Sequence, residues 1–103
     1  MVEVLDPGHS YELKSVGEAP AQSLVFIKKQ PKEGSPDELE LVHDGTTTEE
    51  VLLVLVDRLK TLLSRVPDAF TESALMHVGT ALHLLESRTR NRTERGVEGT
   101  MQA

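Results

Sequence analysis

The chain contains no cysteine and no tryptophan, and its only aromatic residues are Tyr11, Phe26 and Phe70. Without cysteine there is no disulfide framework, no thiolate zinc site and no thiol nucleophile, and a reducing compartment is the natural setting. With so few aromatics there is no platform on which successive nucleic-acid bases could stack. Cations are scarce as well: 11 Lys and Arg face 17 Asp and Glu, for a formal net charge of −6. A protein that coats nucleic acid needs a positive surface, so any anion binding here must be local. Long apolar runs are also missing. The longest, Val51 to Val56, is far short of the ~20 residues that span a bilayer. The opening MVEVLDPGHS has neither the basic start nor the apolar stretch of a secretory leader, which sets the expectation of a cytoplasmic protein with no membrane partner.

What is present divides into two halves. Tyr11 to Val16 and Glu38 to His43 alternate apolar and polar residues, and Ser23 to Lys29 is rich in strand formers. Turn signals separate them at Gly17 to Ala21, and Gln30 to Asp37 reads as a loop because it holds Pro31, Gly34 and Pro36. The expectation is an α+β chain that opens with a small antiparallel sheet of about three strands, one apolar face of which must be covered. A two-helix antiparallel hairpin follows. Thr46 with Glu49, or Thr47 with Glu50, has the spacing of a capping box. The first helix runs to about Arg65, Pro67-Asp68 breaks the pattern, and Asp68 or Thr71 caps a second helix that ends near Arg95, before Gly96. The expected organisation is thus a single domain over 1–103: a tail at 1–9, the sheet region at 10–45, the hairpin at 46–95 and a second tail at 96–103.

Six consecutive apolar residues, Val51 to Val56, cover every side of a helix, and such a helix is buried on several sides. A domain of 103 residues buries only about two-thirds of its unfolded surface or less, so a second copy of the chain is the expected third partner. On the second helix Ala74, Val78, Ala81 and Leu85 recur at helical spacing, with Leu75, Leu82 and Leu84 widening the stripe, and the same line continues into Arg88, Arg92 and Arg95.

The segment Arg88 to Arg95 carries four of the chain's 11 cations. Cations favour helix C-termini for the dipole alone. Arginine is also the side chain whose planar fork matches phosphate and stacks on a base, so a phosphate clamp is the second reading, with Thr89 and Thr93 adding hydroxyls. Two charged hydrogen bonds and one stack give roughly 4–9 kcal/mol, whereas nanomolar affinity needs about 12. A tight site on this helix end would therefore be shared between subunits. Other chemistry is not in evidence. The four histidines, His9, His43, His77 and His83, do not share a face or spacing suited to a metal, and Gly96 to Gly99 lacks the lysine of a phosphate-binding loop. No nucleophile motif occurs, so the expectation is a binding protein and not an enzyme, with no cofactor. Phe26 is expected in the sheet core. Phe70 is expected as a hydrophobic staple at the hairpin turn, with base stacking as its other role.

The stretch from Ala81 to Thr100, ALHLLESRTRNRTERGVEGT, resembles the C-terminal signature of phage immune-evasion proteins, the Thoeris anti-defence and anti-CBASS sponges, and HDGTTTEEVLLVLVDRL, His43 to Leu59, resembles the start of their shared hairpin. The likeness covers residues 43 to 100, and the preceding sheet is closer to the Thoeris anti-defence branch than to the all-helical anti-CBASS branch. The resemblance implies a protein that sequesters cyclic nucleotide signals made by bacterial immune enzymes, without cleaving them, in the cytoplasm of the infected bacterial host. In that family the ligands include glycocyclic ADP-ribose isomers and, in several members, cyclic di- and trinucleotides. It implies homodimers that assemble further into hexamers as trimers of dimers. Arg88 and Arg92 match the family's ligand-binding arginines one turn apart, Thr89, Arg95, Glu98 and Thr100 are supporting positions, and Phe70 would supply a stacking aromatic. The chain departs from the pattern in having Leu84 and Leu85 where relatives carry an aromatic before the first arginine, which bears on ligand preference. The alternative is an oligomeric interaction module whose arginine face meets an acidic protein.

Overall fold

The computed structural model describes residues 1–96. The fold is α+β, with strands first and helices second. The elements are β1 (Glu3–Asp6), β2 (Ser10–Leu13), β3 (Gln22–Val25), β4 (Lys28–Lys32), β5 (Ser35–His43), α1 (Thr48–Arg65) and α2 (Ala69–Glu94). They fall into two compact units that divide between Thr47 and Thr48.

The strand unit holds two sheets where one was expected. The strands β1, β2 and β3 form an antiparallel sheet in that order, and β4 pairs with β5 in a separate two-stranded hairpin. The region read as an N-terminal tail contains β1, whose Val4 pairs with Tyr11 across the ladder. The segment read as one strand from Ser23 to Lys29 is broken between Val25 and Lys28. At the break, the backbone of Thr46 takes over: its N–H donates to the Val25 carbonyl at 2.8 Å, and its own carbonyl accepts from the Ile27 N–H at 3.0 Å. The segment read as a loop, Gln30 to Asp37, is strand on both sides of a turn at Glu33-Gly34. Proline is tolerated there because each strand of a two-stranded sheet has an unpaired edge, so the missing N–H of Pro31 costs no ladder bond.

Tyr11 and Phe26 meet edge to face, with ring centroids 6.0 Å apart. Phe26, expected in the sheet core, is half-buried and lies just past the end of β3. Polar bonds tie the two sheets together. Between the sheets, Lys28 Nζ of β4 donates to Asp6 Oδ2 of β1 at 2.9 Å; at the link from β3 to β4, the His9 ring nitrogen Nδ1 lies 3.3 Å from the Ile27 carbonyl, and the Phe26 N–H donates to the His9 carbonyl, extending the β2–β3 ladder. Gly45 is held where no side chain fits. A Cβ added there would sit 2.6 Å from backbone atoms of Val25 and Phe26, so the close approach of the two backbones depends on glycine.

The helical unit is a hairpin in which α1 packs on α2. Helix α1 starts at Thr48, which leaves Thr47 in the capping position three residues before Glu50. Asp68 is the N-cap of α2: its carboxylate accepts from the Phe70 N–H at 3.0 Å and from Thr71 Oγ1 at 2.7 Å. Those bonds hold the Asp68 carboxyl below the ordinary carboxylate value, the Thr71 hydroxyl contributing most and the Phe70 amide next. Gly96 follows the helix with a φ of 70°, the left-handed stop that glycine permits.

The hairpin has very little interior. No residue of α1 is buried, and on α2 only Leu82, at 8 % exposure, and Arg92 are. The apolar stripe is narrower than its sequence pattern. Leu75, Val78, Ala81 and Leu85 are half-buried around Leu82, whereas Ala74 and Leu84 lie exposed outside it. On α1 the outward half of the apolar run is exposed, with Val54 at 64 %. Among the described residues, no helix is long and apolar enough to cross a membrane.

Candidate functional site

Helix lengths position the arginines. Helix α2 has 26 residues and α1 has 18, and a three-residue turn joins them at one end. The far end of α2 therefore outruns α1 by about eight residues, or about 12 Å at ~1.5 Å per residue. Arg88, Arg90 and Arg92 stand on that overhang, and Arg95 caps it. Residues 86–95 hold four arginines against Glu86 and Glu94, a local excess of cations in an acidic chain.

The arginines are not equivalent. Arg92 is 5 % exposed, less than Leu82, whereas Arg88, Arg90 and Arg95 are exposed. The expectation that the contact stripe continues past Leu85 through Arg88, Arg92 and Arg95 is corrected: of these three arginines Arg92 is buried, and Arg88 and Arg95 are exposed. At ~100° per residue Arg92 lies ~20° from the half-buried Leu85, and Arg88 is displaced toward the exposed Leu84. The helix dipole accounts for cations exposed at this terminus. It does not account for Arg92, because a buried guanidinium costs free energy unless it is paired; neither Arg92 nor Arg95 is without a partner. Thr89 is exposed, and its carbonyl accepts from Thr93 Oγ1 at 2.9 Å. The Thr93 hydroxyl is thereby used within the helix. The Arg95 N–H donates to the Asn91 carbonyl at 3.0 Å.

Phe70 stands at the other end of the same helix. It is 87 % exposed, which overturns the hydrophobic-staple role: a staple residue is covered by the side chain it pins. It precedes Arg88 by 18 positions, about 27 Å along α2, so one chain cannot bring Phe70 and the arginines to one ligand. An open depression of about 500 Å³ on the first two turns of α2 is lined by Ala69, Glu72, Ser73, Leu75 and Met76, and Phe70 is not part of its lining. Glu98 and Thr100 lie outside the described residues.

Residue counting along the sequence missed a second line on α2. Phe70, His77 and Leu84 recur at intervals of seven and are all exposed, and Ala74, Ala81 and Arg88 recur at the same interval between them. The pattern is legible as a heptad once the α1-facing stripe has been subtracted. His77 is fixed on it by its Nδ1, 2.7 Å from the Ser73 carbonyl. Among the described residues, no group of three or more His, Asp or Glu side chains could hold a metal ion. No protein-family model matches the chain, and comparison with curated proteins finds no relative.

Proposed function

We propose that the chain is a phage-encoded anti-defence protein that binds cyclic nucleotide immune signals at the arginine end of α2 and withholds them, uncleaved, from Thoeris or CBASS effectors. The observation that carries this reading is Arg92, a guanidinium at 5 % exposure within a cluster of exposed arginines. A charge drawn out of water at the rim of a cationic surface is pre-organised: its rotamer is fixed before a phosphate arrives, which lowers the cost of binding. Arg88, one turn earlier and open to solvent, grips the phosphate as a planar fork. The resemblance of Arg88 to Thr100 to the sponge signature supports the same assignment and supplies the ligand class, glycocyclic ADP-ribose isomers and cyclic di- or trinucleotides.

The active form in this reading is a homodimer, assembling into a hexamer as a trimer of dimers. Two features support association. The hairpin leaves apolar residues of both helices exposed, and the two ends of α2 that the ligand requires are about 27 Å apart in one chain. Sequestration requires affinity, and affinity requires the shared site.

Calorimetric titration with glycocyclic ADP-ribose isomers and a panel of cyclic di- and trinucleotides tests the proposal, followed by heat release and chromatography of the ligand. Tight binding with the ligand returned intact is expected. Chemically altered ligand would make the protein an enzyme. No binding across the panel would refute the sponge and leave the second reading, in which the exposed Arg88, Arg90 and Arg95 meet an acidic protein in a salt-sensitive complex.

A further inference from the structure

The segment that follows β5 holds a reactive pair. Asp44 and Gly45 lie between the last ladder pair, Lys28 with His43, and the parallel bridge of Thr46 to Phe26. Asp44 is the one aspartate of the chain that precedes a glycine. Glycine has no Cβ to shield its amide nitrogen from the side chain before it. The Gly45 N–H donates to Asp44 Oδ1 at 2.9 Å, so the amide nitrogen and the neighbouring carboxyl are held in contact, and Asp44 is open to solvent. Asp6 and Asp68 differ. The first holds the Lys28 ammonium, and the second holds the Phe70 amide and the Thr71 hydroxyl, so neither carboxylate is turned onto the amide that follows it.

Packing fixes the glycine and leaves the aspartate free. A Cβ on Gly45 would fall 2.6 Å from backbone atoms of Val25 and Phe26, so the fold requires glycine at this position. Nothing comparable requires Asp44, whose carboxylate bonds the adjacent amide. Because the Gly45 N–H is used on that carboxylate, losing it breaks no bond between strands.

We propose that Asp44–Gly45 is a self-modification site, at which the folded chain converts Asp44 to isoaspartate. The Gly45 nitrogen attacks the Asp44 carboxyl carbon when the carboxyl carries a proton. An N–C bond forms, the carboxyl hydroxyl leaves with the amide proton as water, and a succinimide ring closes. Water then adds to the ring carbonyl that was the main-chain carbonyl of Asp44. Its bond to nitrogen breaks, and the nitrogen takes back a proton. The chain now runs through the former side chain, and the former main-chain carbonyl is a free carboxyl. One water leaves and one enters, so the step needs no cofactor, oxidant or reductant. The backbone gains one carbon between His43 and Thr46, about 1.5 Å. That length is taken up where the Thr46 N–H donates to the Val25 carbonyl at 2.8 Å and the Thr46 carbonyl accepts from Ile27 at 3.0 Å. The conversion thus releases Thr46 from the end of β3. It requires no ligand, so it stands apart from the sponge reading.

The test incubates the full chain for weeks at neutral pH and physiological temperature in water enriched in heavy oxygen, followed by digestion and fragmentation mass spectrometry. Isoaspartate carrying heavy oxygen is expected at Asp44, and none at Asp6, Asp37, Asp57 or Asp68. The folded chain should react at least as fast as a free peptide of residues 41–48, because its reacting groups are already in contact. A folded chain slower than that peptide by about tenfold or more would show that the fold protects the pair, and would overturn the proposal. Two variants check the ring. Asp44→Glu keeps the charge but needs a larger ring, and its modified form should not accumulate. Asp44→Asn closes the same ring with loss of ammonia and should reach isoaspartate several-fold faster than the wild type. A rate for Asp44→Asn no faster than the wild type's would overturn the ring mechanism. A last arm reads the consequence. In the purified isoaspartate form the amides of Ile27 and Thr46 should exchange with solvent about tenfold faster than in the unmodified chain, with those of α2 unchanged. Unchanged exchange at Ile27 and Thr46 would overturn the release of Thr46.

Discussion

The two units of this chain are held by different means. In the strand unit, polar bonds with specific partners hold the segments together: Lys28 on Asp6, the Thr46 backbone between Val25 and Ile27, and the His9 carbonyl on the Phe26 N–H. In the helical unit a short apolar stripe does the work, and of its apolar residues only Leu82 is buried. Polar latches fix register and need no large interior. An apolar stripe stabilises in proportion to the area it removes from water, and this one removes little. The strand unit is therefore specified within the chain, while the helical unit gains from anything that covers its outer faces.

Leu82→Ala is the sharpest way to break that contrast. Truncating the single buried leucine of a nearly coreless hairpin is expected to cost about 2–4 kcal/mol, read as a lowered midpoint in urea. A loss below about 1 kcal/mol would mean that the hairpin is held by something other than this stripe. The arginines come next. Arg88→Ala should weaken cyclic nucleotide binding by about 1.5–3 kcal/mol, the worth of a charged hydrogen bond, with the thermal midpoint unchanged. Arg92→Ala should lose binding and also lower the thermal midpoint, since its side chain is buried. Equal midpoints for the two variants would remove the distinction drawn between them.

In the strand unit, Gly45→Ala forces a Cβ to within 2.6 Å of backbone atoms at Val25 and Phe26. Backbone must shift, at about 1–3 kcal/mol, and the amides of Ile27 and Thr46 should exchange with solvent faster while those of α2 do not. The smallest expected effect concerns Asp68. Its carboxyl is held below the ordinary value of 3.8 by the Thr71 hydroxyl and the Phe70 amide. Its contribution is therefore fully present above that value and disappears as the pH falls through the lowered one. Asp68→Asn keeps an acceptor at the cap without the titration, so its thermal midpoint should fall less than the wild type's between pH 6 and about pH 2. Parallel curves for the two proteins would remove Asp68 from the acid response.

The helices were legible because their punctuation is local. A breaker at Pro67, a cap at Asp68 and a stop at Gly96 act on neighbours in the chain, and the structure ends and begins the helices there. The sheets were less legible because their partners are distant. A four-residue strand such as β1 is too short for alternation to declare it, and Pro31 reads as a breaker unless the two-stranded nature of its sheet is known. At the candidate site the residue types were readable and their burial was not. Arg88 and Arg92 are one turn apart and chemically identical, yet solvent reaches one and hardly reaches the other. The exposure of Phe70 was equally invisible, because a staple and a free ring have the same sequence.

The bridge between Phe26 and Thr46 runs parallel, whereas the other strand contacts among the described residues are antiparallel. It closes a loop of about 20 residues, so chain entropy opposes it until the β4–β5 hairpin inside that loop has formed and shortened the path. The helical hairpin, by contrast, joins neighbours across a three-residue turn and can form on the helix–coil timescale. A ribosome delivers the slow half first and the fast half last. The step that completes the monomer is then expected to be the seating of Thr46 at the end of β3, immediately ahead of the first helix, and refolding should slow in proportion to any change that delays that closure.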